Sequence, residues 1–89
     1  SEEIHKQQDD SYIIEGSLGI RDLNKEMGWS LPTDGPRTLN GLILEHLETI
    51  PTSMISTRIC GYPMEIIEVE NNMVKLVKII PNLYKDENE

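Results

Sequence analysis

The apolar residues of this chain change their spacing between Ile50 and Thr57, and this change limits the fold to one that combines helices with strands. Before it, apolar side chains recur at intervals of three and four residues, as on one face of a helix. After it, they come in short runs separated by Gly-Tyr and Asn-Asn, which is typical of strands joined by tight turns. Helices and strands that occupy separate regions of a chain indicate the α+β class.

The helical spacing predicts two helices. The first has one apolar stripe, formed by Ile20, Leu23 and Met27. The second has a longer stripe, formed by Leu39, Leu42, Ile43, His46, Leu47 and Ile50. Ser17 is the expected N-cap of the first helix, and Gly28 is expected to end it. Asp34 or Thr38 is expected to cap the second helix, which Pro51 then stops.

The strand-like runs predict a small mixed or antiparallel sheet with the two helices packed on it. The predicted strands cover residues 4–8, 12–15, 57–60, 64–70 and 73–80. The first two would form a hairpin. Neither of the last two strands alternates cleanly between apolar and polar positions. Either each of them contains a bulge, or the sheet is covered partly on both faces, with the first hairpin helping the helices to cover the second face.

The distribution of charge divides the chain into a folded part and two acidic ends. Residues 1–10 and 82–89 together hold seven acidic and two basic side chains, which is five of the eight net negative charges. We therefore expect one folded domain over residues 9–81, with an acidic tail or first edge strand at 1–8 and an acidic tail at 82–89, both mobile. The chain opens on Ser1 without Met, which suggests a fragment of a longer protein.

The acidic composition argues against several classes of partner. Nucleic acid and anionic membrane surfaces both require clustered Lys and Arg, whereas this chain has a net charge of −8. No apolar run approaches the roughly 18 residues that span a bilayer, so we expect no direct membrane insertion by this chain. The single Cys60 cannot form an internal disulfide, which fits a reducing compartment.

No pattern of catalytic residues is present, and the sequence predicts a protein that is not an enzyme. Cys60 lies in a predicted strand without a partner base, and His5 lies in the N-terminal segment. His46 lies on the apolar helix stripe, where a packed side chain is the favoured interpretation. The HExxH, P-loop, EF-hand and GxGxxG patterns are absent. The aromatic candidates are too scattered to predict a stacking platform: Tyr12, Trp29 and Tyr62.

Acidic side chains provide the candidate metal ligands. Glu68 and Glu70 share one face of a predicted strand, and Asp9 and Asp10 sit together in a predicted turn. Carboxylate oxygens are the ligands that Mg²⁺ and Ca²⁺ prefer. Charged residues also protect an exposed strand edge, and Asp is a common turn residue, so these structural roles are the favoured explanation of all four.

Three phrases of the sequence resemble a known family. They are SYIIEGSLGIRDLNKEMGWSLP, RTLNGLILEHLETIP and RICGYPMEIIEVENNMVKLVKIIP, in that order. Together they resemble the transporter-associated domain of the CorC/HlyC family, over about residues 9–81. That domain ends CBS-containing membrane proteins that are known as magnesium and cobalt efflux proteins or as hemolysins.

The resemblance implies a membrane domain and a pair of CBS modules in the same parent chain, with this domain on the cytoplasmic face of the cell membrane. It also implies a fold like part of the FAD-binding, PCMH-type fold of flavoproteins. FAD is therefore a candidate ligand through this fold resemblance only. No cofactor is expected, because the chain has no Gly-rich phosphate cradle. The family supplies no catalytic residues to match here.

The leading hypothesis is a non-catalytic regulatory or assembly module of a divalent-cation transporter or hemolysin, which packs against itself or against the CBS pair. A homodimer is expected because a small sheet has edges to cover. The alternative is a ligand-sensing domain. It would bind a divalent cation through the four candidate carboxylates, or an adenine nucleotide or FAD through its flavoprotein-like fold.

Overall fold

The structure is a computed structural model that describes residues 2–52 and 54–87. Its elements in chain order are β1 (Ile4–Lys6), β2 (Tyr12–Glu15), α1 (Ile20–Met27), α2 (Leu39–Leu47), β3 (Ser56–Ile59), β4 (Tyr62–Glu70), β5 (Met73–Ile79) and a short 3₁₀ helix (Pro81–Leu83). These helices and strands confirm the predicted α+β class.

The five strands form one antiparallel sheet in the order β1-β2-β5-β4-β3. The first hairpin joins this sheet beside β5, so the idea that it covers a second face is wrong. The pairing explains why. Ile14 lies opposite Val77, and Val77 lies opposite Ile66, so these three fully buried side chains point to one face. A hairpin held in that register can extend the sheet but cannot lie on it.

An aliphatic core lies between this face and the two helices. Its members are Ile14, Leu18, Ile20, Leu23, Leu31, Leu39, Leu42, Ile43, Ile59, Tyr62, Met64, Ile66, Val74, Val77 and Ile79. Helix α2 contributes buried residues from its first five positions, and in its last turn Leu47 is half-buried. His46 is exposed there, so the interpretation of a packed histidine on the helix stripe is wrong.

Both helices end at a residue in the left-handed conformation. Gly28, with φ 70°, ends α1 as predicted. Glu48, with φ 59°, ends α2 after Leu47, so the prediction that Pro51 stops this helix is wrong. The left-handed turn at Glu48 breaks the helical path before Pro51 is reached. Ile50 therefore leaves the helix stripe and is 42% exposed.

The helix starts match the prediction at α2 but not at α1. The Thr38 side chain accepts a hydrogen bond from the Gly41 N–H at 3.2 Å, which makes Thr38 rather than Asp34 the N-cap of α2. The residue before α1 is Gly19, and Ser17 is not its cap. Gly19 bridges to Thr38 across the two loops, and this pairing keeps position 19 extended, so the helix begins after it.

A bulge in each of the two long strands explains their irregular alternation. Ile66 lies opposite Val77 and Glu68 opposite Leu76, which leaves one extra residue in β4, and the next pair, Val69 with Val74, leaves one extra residue in β5. Of the two alternatives raised by the sequence, the bulge is confirmed. It allows Val74 and Val77, three positions apart, to be buried on the same face.

The C-terminal segment packs on the turn between β3 and β4. This turn consists of Cys60 and Gly61, with φ values of 51° and 89°, so Cys60 is not part of a strand as predicted. The Lys85 N–H donates to the Gly61 carbonyl at 2.8 Å, and Glu87 Oε1 accepts from the Gly61 N–H at 3.1 Å. Arg58 donates to the Leu83 carbonyl at 3.0 Å. The acidic segment expected to be a free tail is thus hydrogen-bonded to the sheet as far as Glu87.

Candidate functional site

The margin of β4 beyond the end of β3 is an open apolar part of the described chain. Strand β4 has nine residues, but β3 pairs with its first four, up to Glu65. The Ile66 N–H then donates to the Ile55 carbonyl at 2.9 Å. Beyond Ile66, residues 67–70 have no strand partner on this side among residues 2–52 and 54–87. A strand that outruns its neighbour presents backbone donors and acceptors that another strand can pair with.

A groove of about 430 Å³ runs along this margin. We call it the β4 groove, and its lining residues are Thr52, Met54, Ile66, Ile67, Glu68 and Val69. Met54 is 76% exposed and the neighbouring Ile55 is 36% exposed. Large apolar side chains exposed beside one another mark candidate contact sites on small proteins.

The early end of α2 creates one wall of the groove. Because Glu48 ends the helix, residues 49–52, 54 and 55 cross to β3 without regular structure. Pro51 is buried and fixes this connection, which places Met54 beside the second half of β4. Sequence reasoning missed this wall because it assigned Ile50 to the helix. One sequence signal pointed to the site: the predicted strand over 57–60 is shorter than its neighbour over 64–70.

Contacts with α2 and with the loop before α1 hold the other side of the β4–β5 hairpin. The Val74 N–H donates to Asn40 Oδ1 at 2.7 Å, and the Gly16 N–H donates to the Lys75 carbonyl at 2.9 Å. The Asn40 N–H in turn donates to the Gly16 carbonyl at 2.7 Å. The tip of the hairpin is therefore fixed on its β5 side and open on its β4 side.

The four candidate metal ligands lie at opposite ends of the sheet. Asp9 and Asp10 occupy the β1–β2 turn. Tyr12, just after this turn, is level with Met64 across β5, so the turn lies at the end of the sheet where β4 begins. Glu68 and Glu70 are exposed in the part of β4 that pairs with β5 but not with β3. The structure brings each pair together but keeps the two pairs apart. In the part of the chain that the structure describes, no group of three or more His, Cys, Asp or Glu side chains is arranged to hold a metal ion.

The aspartates of the β1–β2 turn have hydrogen-bonding and ionic partners within the fold. Asp9 accepts hydrogen bonds from both the hydroxyl and the N–H of Ser11, and its carboxylate lies 3.3 Å from Lys78 Nζ. Asp10 lies 3.7 Å from Lys6 Nζ. The Ser11 hydrogen bonds, with help from Lys78, lower the pKa of Asp9 from 3.8 to about 2.

This shift predicts how Asp9 responds to acid. Because the folded pKa lies below the unfolded value, Asp9 stabilises the fold above about pH 3.8, and this contribution is lost as the pH falls toward about 2. We expect an NMR titration of the Asp9 carboxyl carbon to give a midpoint near pH 2. Ser11→Ala should move that midpoint up toward 3.8. An unchanged midpoint in the variant would show that Ser11 is not the cause of the shift.

Cys60 lacks the surroundings of a reactive thiol. It is half-buried at the β3–β4 turn, and burial, reinforced by the Glu87 carboxylate, raises the pKa of its thiol. A thiol with a raised pKa is protonated at neutral pH and is a poor nucleophile. His5 lies exposed in β1, and His46 lies exposed in α2.

All four aromatic side chains form one continuous row, so the prediction that they are scattered is wrong. The ring of Tyr12 meets that of Trp29 at 6.4 Å, Trp29 meets Tyr62 at 4.9 Å, and Tyr62 meets Tyr84 at 4.5 Å between centroids. Antiparallel pairing brings β2 and β4 onto either side of β5, which unites residues fifty positions apart. Burial also raises the pKa of Tyr62. The row packs against the core, since Tyr62 is buried in it and Tyr12 and Trp29 are partly buried against it.

Comparison with known proteins yields a family match over nearly the whole chain. A family model described as the CorC/HlyC transporter associated domain matches residues 5–82. The UPF0053 inner membrane protein YfjD of Escherichia coli is 46% identical over 81 residues, which are 91% of this chain and 19% of that protein. This chain thus spans about a fifth of the length of that curated relative. Within the described residues no helix is long and apolar enough to cross a membrane.

Several solved structures share this fold. A conserved protein of unknown function from Haemophilus influenzae has 48% identity and a TM-score of 0.84, covering 86% of this chain and 95% of that chain. A transporter-associated domain from a Xylella fastidiosa hemolysin, solved in complex with Mg²⁺ and Mn²⁺, has 20% identity and a TM-score of 0.76 over 88% and 95% of the two chains. The corresponding domain of a CBS domain protein from Porphyromonas gingivalis has 19% identity and a TM-score of 0.78 over 93% and 99%.

Proposed function

This chain belongs to the family of CorC/HlyC transporter-associated domains, and on that premise we propose that it is a non-catalytic regulatory or assembly module of a membrane protein that moves Mg²⁺ or Co²⁺. The single observation that carries the proposal is the β4 groove, an apolar groove on a domain whose described residues form no group of three or more that could hold a metal ion. Its relative YfjD is an inner membrane protein about five times as long, which leaves most of such a protein available as the binding partner.

The proposed mechanism is coupling between domain positions. The domain would lie on the cytoplasmic face of the membrane and pack against the CBS pair or against a second copy of itself. A contact that differs in strength between two states of the membrane part shifts the balance between those states. The relative from Porphyromonas gingivalis is a CBS domain protein, which supports a CBS pair as the neighbour.

The test is removal of the domain from the full-length parent protein. Coupling between sites is typically worth a fivefold change or more, so we expect deletion of this domain to change the initial rate of Mg²⁺ or Co²⁺ flux in proteoliposomes by about fivefold. The membrane part should still assemble, as judged by size-exclusion chromatography in detergent. An unchanged flux in an unchanged assembly would contradict the proposed role.

Direct sensing of a divalent cation is the second candidate. It is favoured by the Xylella fastidiosa domain, which was solved with Mg²⁺ and Mn²⁺. Calorimetric titration of this domain with Mg²⁺, Co²⁺ and Ca²⁺ tests it, with Asp9→Asn/Asp10→Asn and Glu68→Gln/Glu70→Gln as matched variants. Saturable binding that one double variant abolishes would replace the assembly role with a sensing role. Titrations with ATP and FAD should show no binding, and sedimentation of the domain tests the homodimer.

A further inference from the structure

We propose that the β4 groove binds an extended segment of apolar and basic side chains, which adds to the sheet as a sixth strand beside residues 67–70 of β4. This inference rests on the proposed function, because it names the chemistry through which the module would contact its parent protein. The occupant is a segment of the parent chain that lies outside these 89 residues, in the remaining four fifths suggested by the length of YfjD.

The backbone of β4 is prepared for such a partner. Residues 67–70 continue the strand beyond the end of β3, and the Ile66 N–H already bonds to the Ile55 carbonyl at the point where the open part begins. Asn40 and Gly16 fix the hairpin from the opposite side. Since the edge is held in strand geometry before binding, little ordering of the domain opposes the addition of a strand.

The side chains beside this edge define the apolar part of the partner. Met54 and Thr52 form one wall of the groove, and Ile67 and Val69 form the other. Side chains on one face of an added strand point in the same direction and are spaced two positions apart. Alternate apolar residues of the segment would therefore enter the groove and cover Met54, which is 76% exposed.

Charge defines the remaining part of the partner. Glu68 and Glu70 are exposed at the open part of β4, so basic side chains on an added strand would lie beside acidic ones there. Strand β5, which pairs with β4 on its other side, is a strand of this fold that combines two lysines with apolar residues. A second copy of β4 is a poor occupant, because pairing two such strands would bring four exposed glutamates together along one edge, and like charges close to one another are destabilising.

A peptide with the sequence of β5 is the probe. We expect the acetylated and amidated peptide MVKLVKI, labelled for fluorescence anisotropy, to bind the domain with a Kd of about 10 μM. The matched peptide MVELVEI should bind at least about tenfold more weakly. The isolated domain is a suitable target, because this chain covers 95% of a Haemophilus influenzae chain whose crystal structure has the same fold. Failure of MVKLVKI to bind at 1 mM, a concentration set about 100-fold above this Kd, would overturn the proposal.

Charge reversal locates the binding edge. In Glu68→Lys/Glu70→Lys, we expect binding of MVKLVKI to weaken by about fivefold and binding of MVELVEI to strengthen by a similar factor. Glu2→Lys/Glu45→Lys changes the net charge equally at exposed positions outside the groove, and it should alter neither peptide's Kd by more than about twofold. Equal effects of the two double variants on peptide binding would show that the peptide responds only to the net charge of the domain. The proposed binding site on β4 would then be wrong.

A cross-link in the full-length parent identifies the occupant. Benzoylphenylalanine in place of Glu70 should give, on irradiation, a cross-link to a segment of the same protein outside this domain. A cross-link to the same edge of a second copy, or to a different protein, would overturn the identity of the occupant. If deletion of the domain changes ion flux while MVKLVKI does not bind, this inference fails and the proposed function stands. If the peptide binds and deletion of the domain leaves ion flux unchanged, the proposed function fails and the peptide site on β4 stands.

Discussion

Gly16→Ala is expected to lower the free energy of unfolding by about 3 kcal/mol, because a methyl group at this position would overlap the carbonyl oxygen of Val74. The obstacle is backbone, which cannot rotate away as a side chain can. The Gly16 N–H and carbonyl also bond to Lys75 and Asn40, so a shift of this loop would strain both hydrogen bonds. Urea denaturation followed by circular dichroism measures the loss.

Gly35→Ala is the matched control for this substitution. The nearest atom to an added methyl group there is Glu45 Oε2, at 3.7 Å, which is an ordinary contact with the end of a flexible side chain. We expect the control to change stability by less than about 0.5 kcal/mol. If Gly16→Ala also stayed within that range, the close approach between the Gly16 loop and β5 would be wrong. The anchoring of the β4–β5 hairpin would then lose its main support.

Gly61→Ala is the second substitution with a large expected effect. Gly61 has a φ of 89°, and a methyl group there would lie 2.5 Å from the Lys85 carbonyl oxygen and 2.7 Å from the Tyr84 ring. We expect a loss of about 1 kcal/mol from the left-handed backbone and a further loss of about 2 kcal/mol from the clash. The C-terminal segment should detach, so the Lys85 amide should lose its protection from hydrogen exchange.

Gly28→Ala separates these two costs. Gly28 has a similar φ of 70°, but no atom lies within 4 Å of an added methyl group. This variant therefore carries the backbone cost without the clash, and the difference between the two variants measures the contact with the C-terminal segment. Equal losses for Gly61→Ala and Gly28→Ala would show that residues 84 and 85 do not press on the turn.

Much of the fold could be predicted from local sequence because the relevant interactions are local. The stripe of Ile20, Leu23 and Met27 followed by Gly28 gave α1 its full length, and the fold class followed from the change in spacing. Ser17 misled the prediction of the helix start, because the bridge between Gly19 and Thr38 joins residues nineteen positions apart. Side-chain propensity at one position carries no information about such a pairing.

The candidate site could be predicted only in part. Glu68 and Glu70 were recognisable as a charged strand edge, and they lie in the part of β4 that extends beyond β3. The groove beside them depends on two further facts: the left-handed turn at Glu48, and the position of Met54 beside β4. Non-glycine residues adopt the left-handed conformation rarely, so a glutamate gives no local signal for it.

The sequence by itself determined the α+β class, the approximate extents of the helices and strands, the absence of known catalytic patterns and the family, since each follows from residue types at short or fixed spacings. Tertiary structure alone decided the strand order, the two bulges, the aromatic row, the packing of the C-terminal segment and the open edge of β4. Each of these depends on which distant backbone groups find one another. That choice is made by the burial of the whole core and is not encoded in any single stretch of the chain.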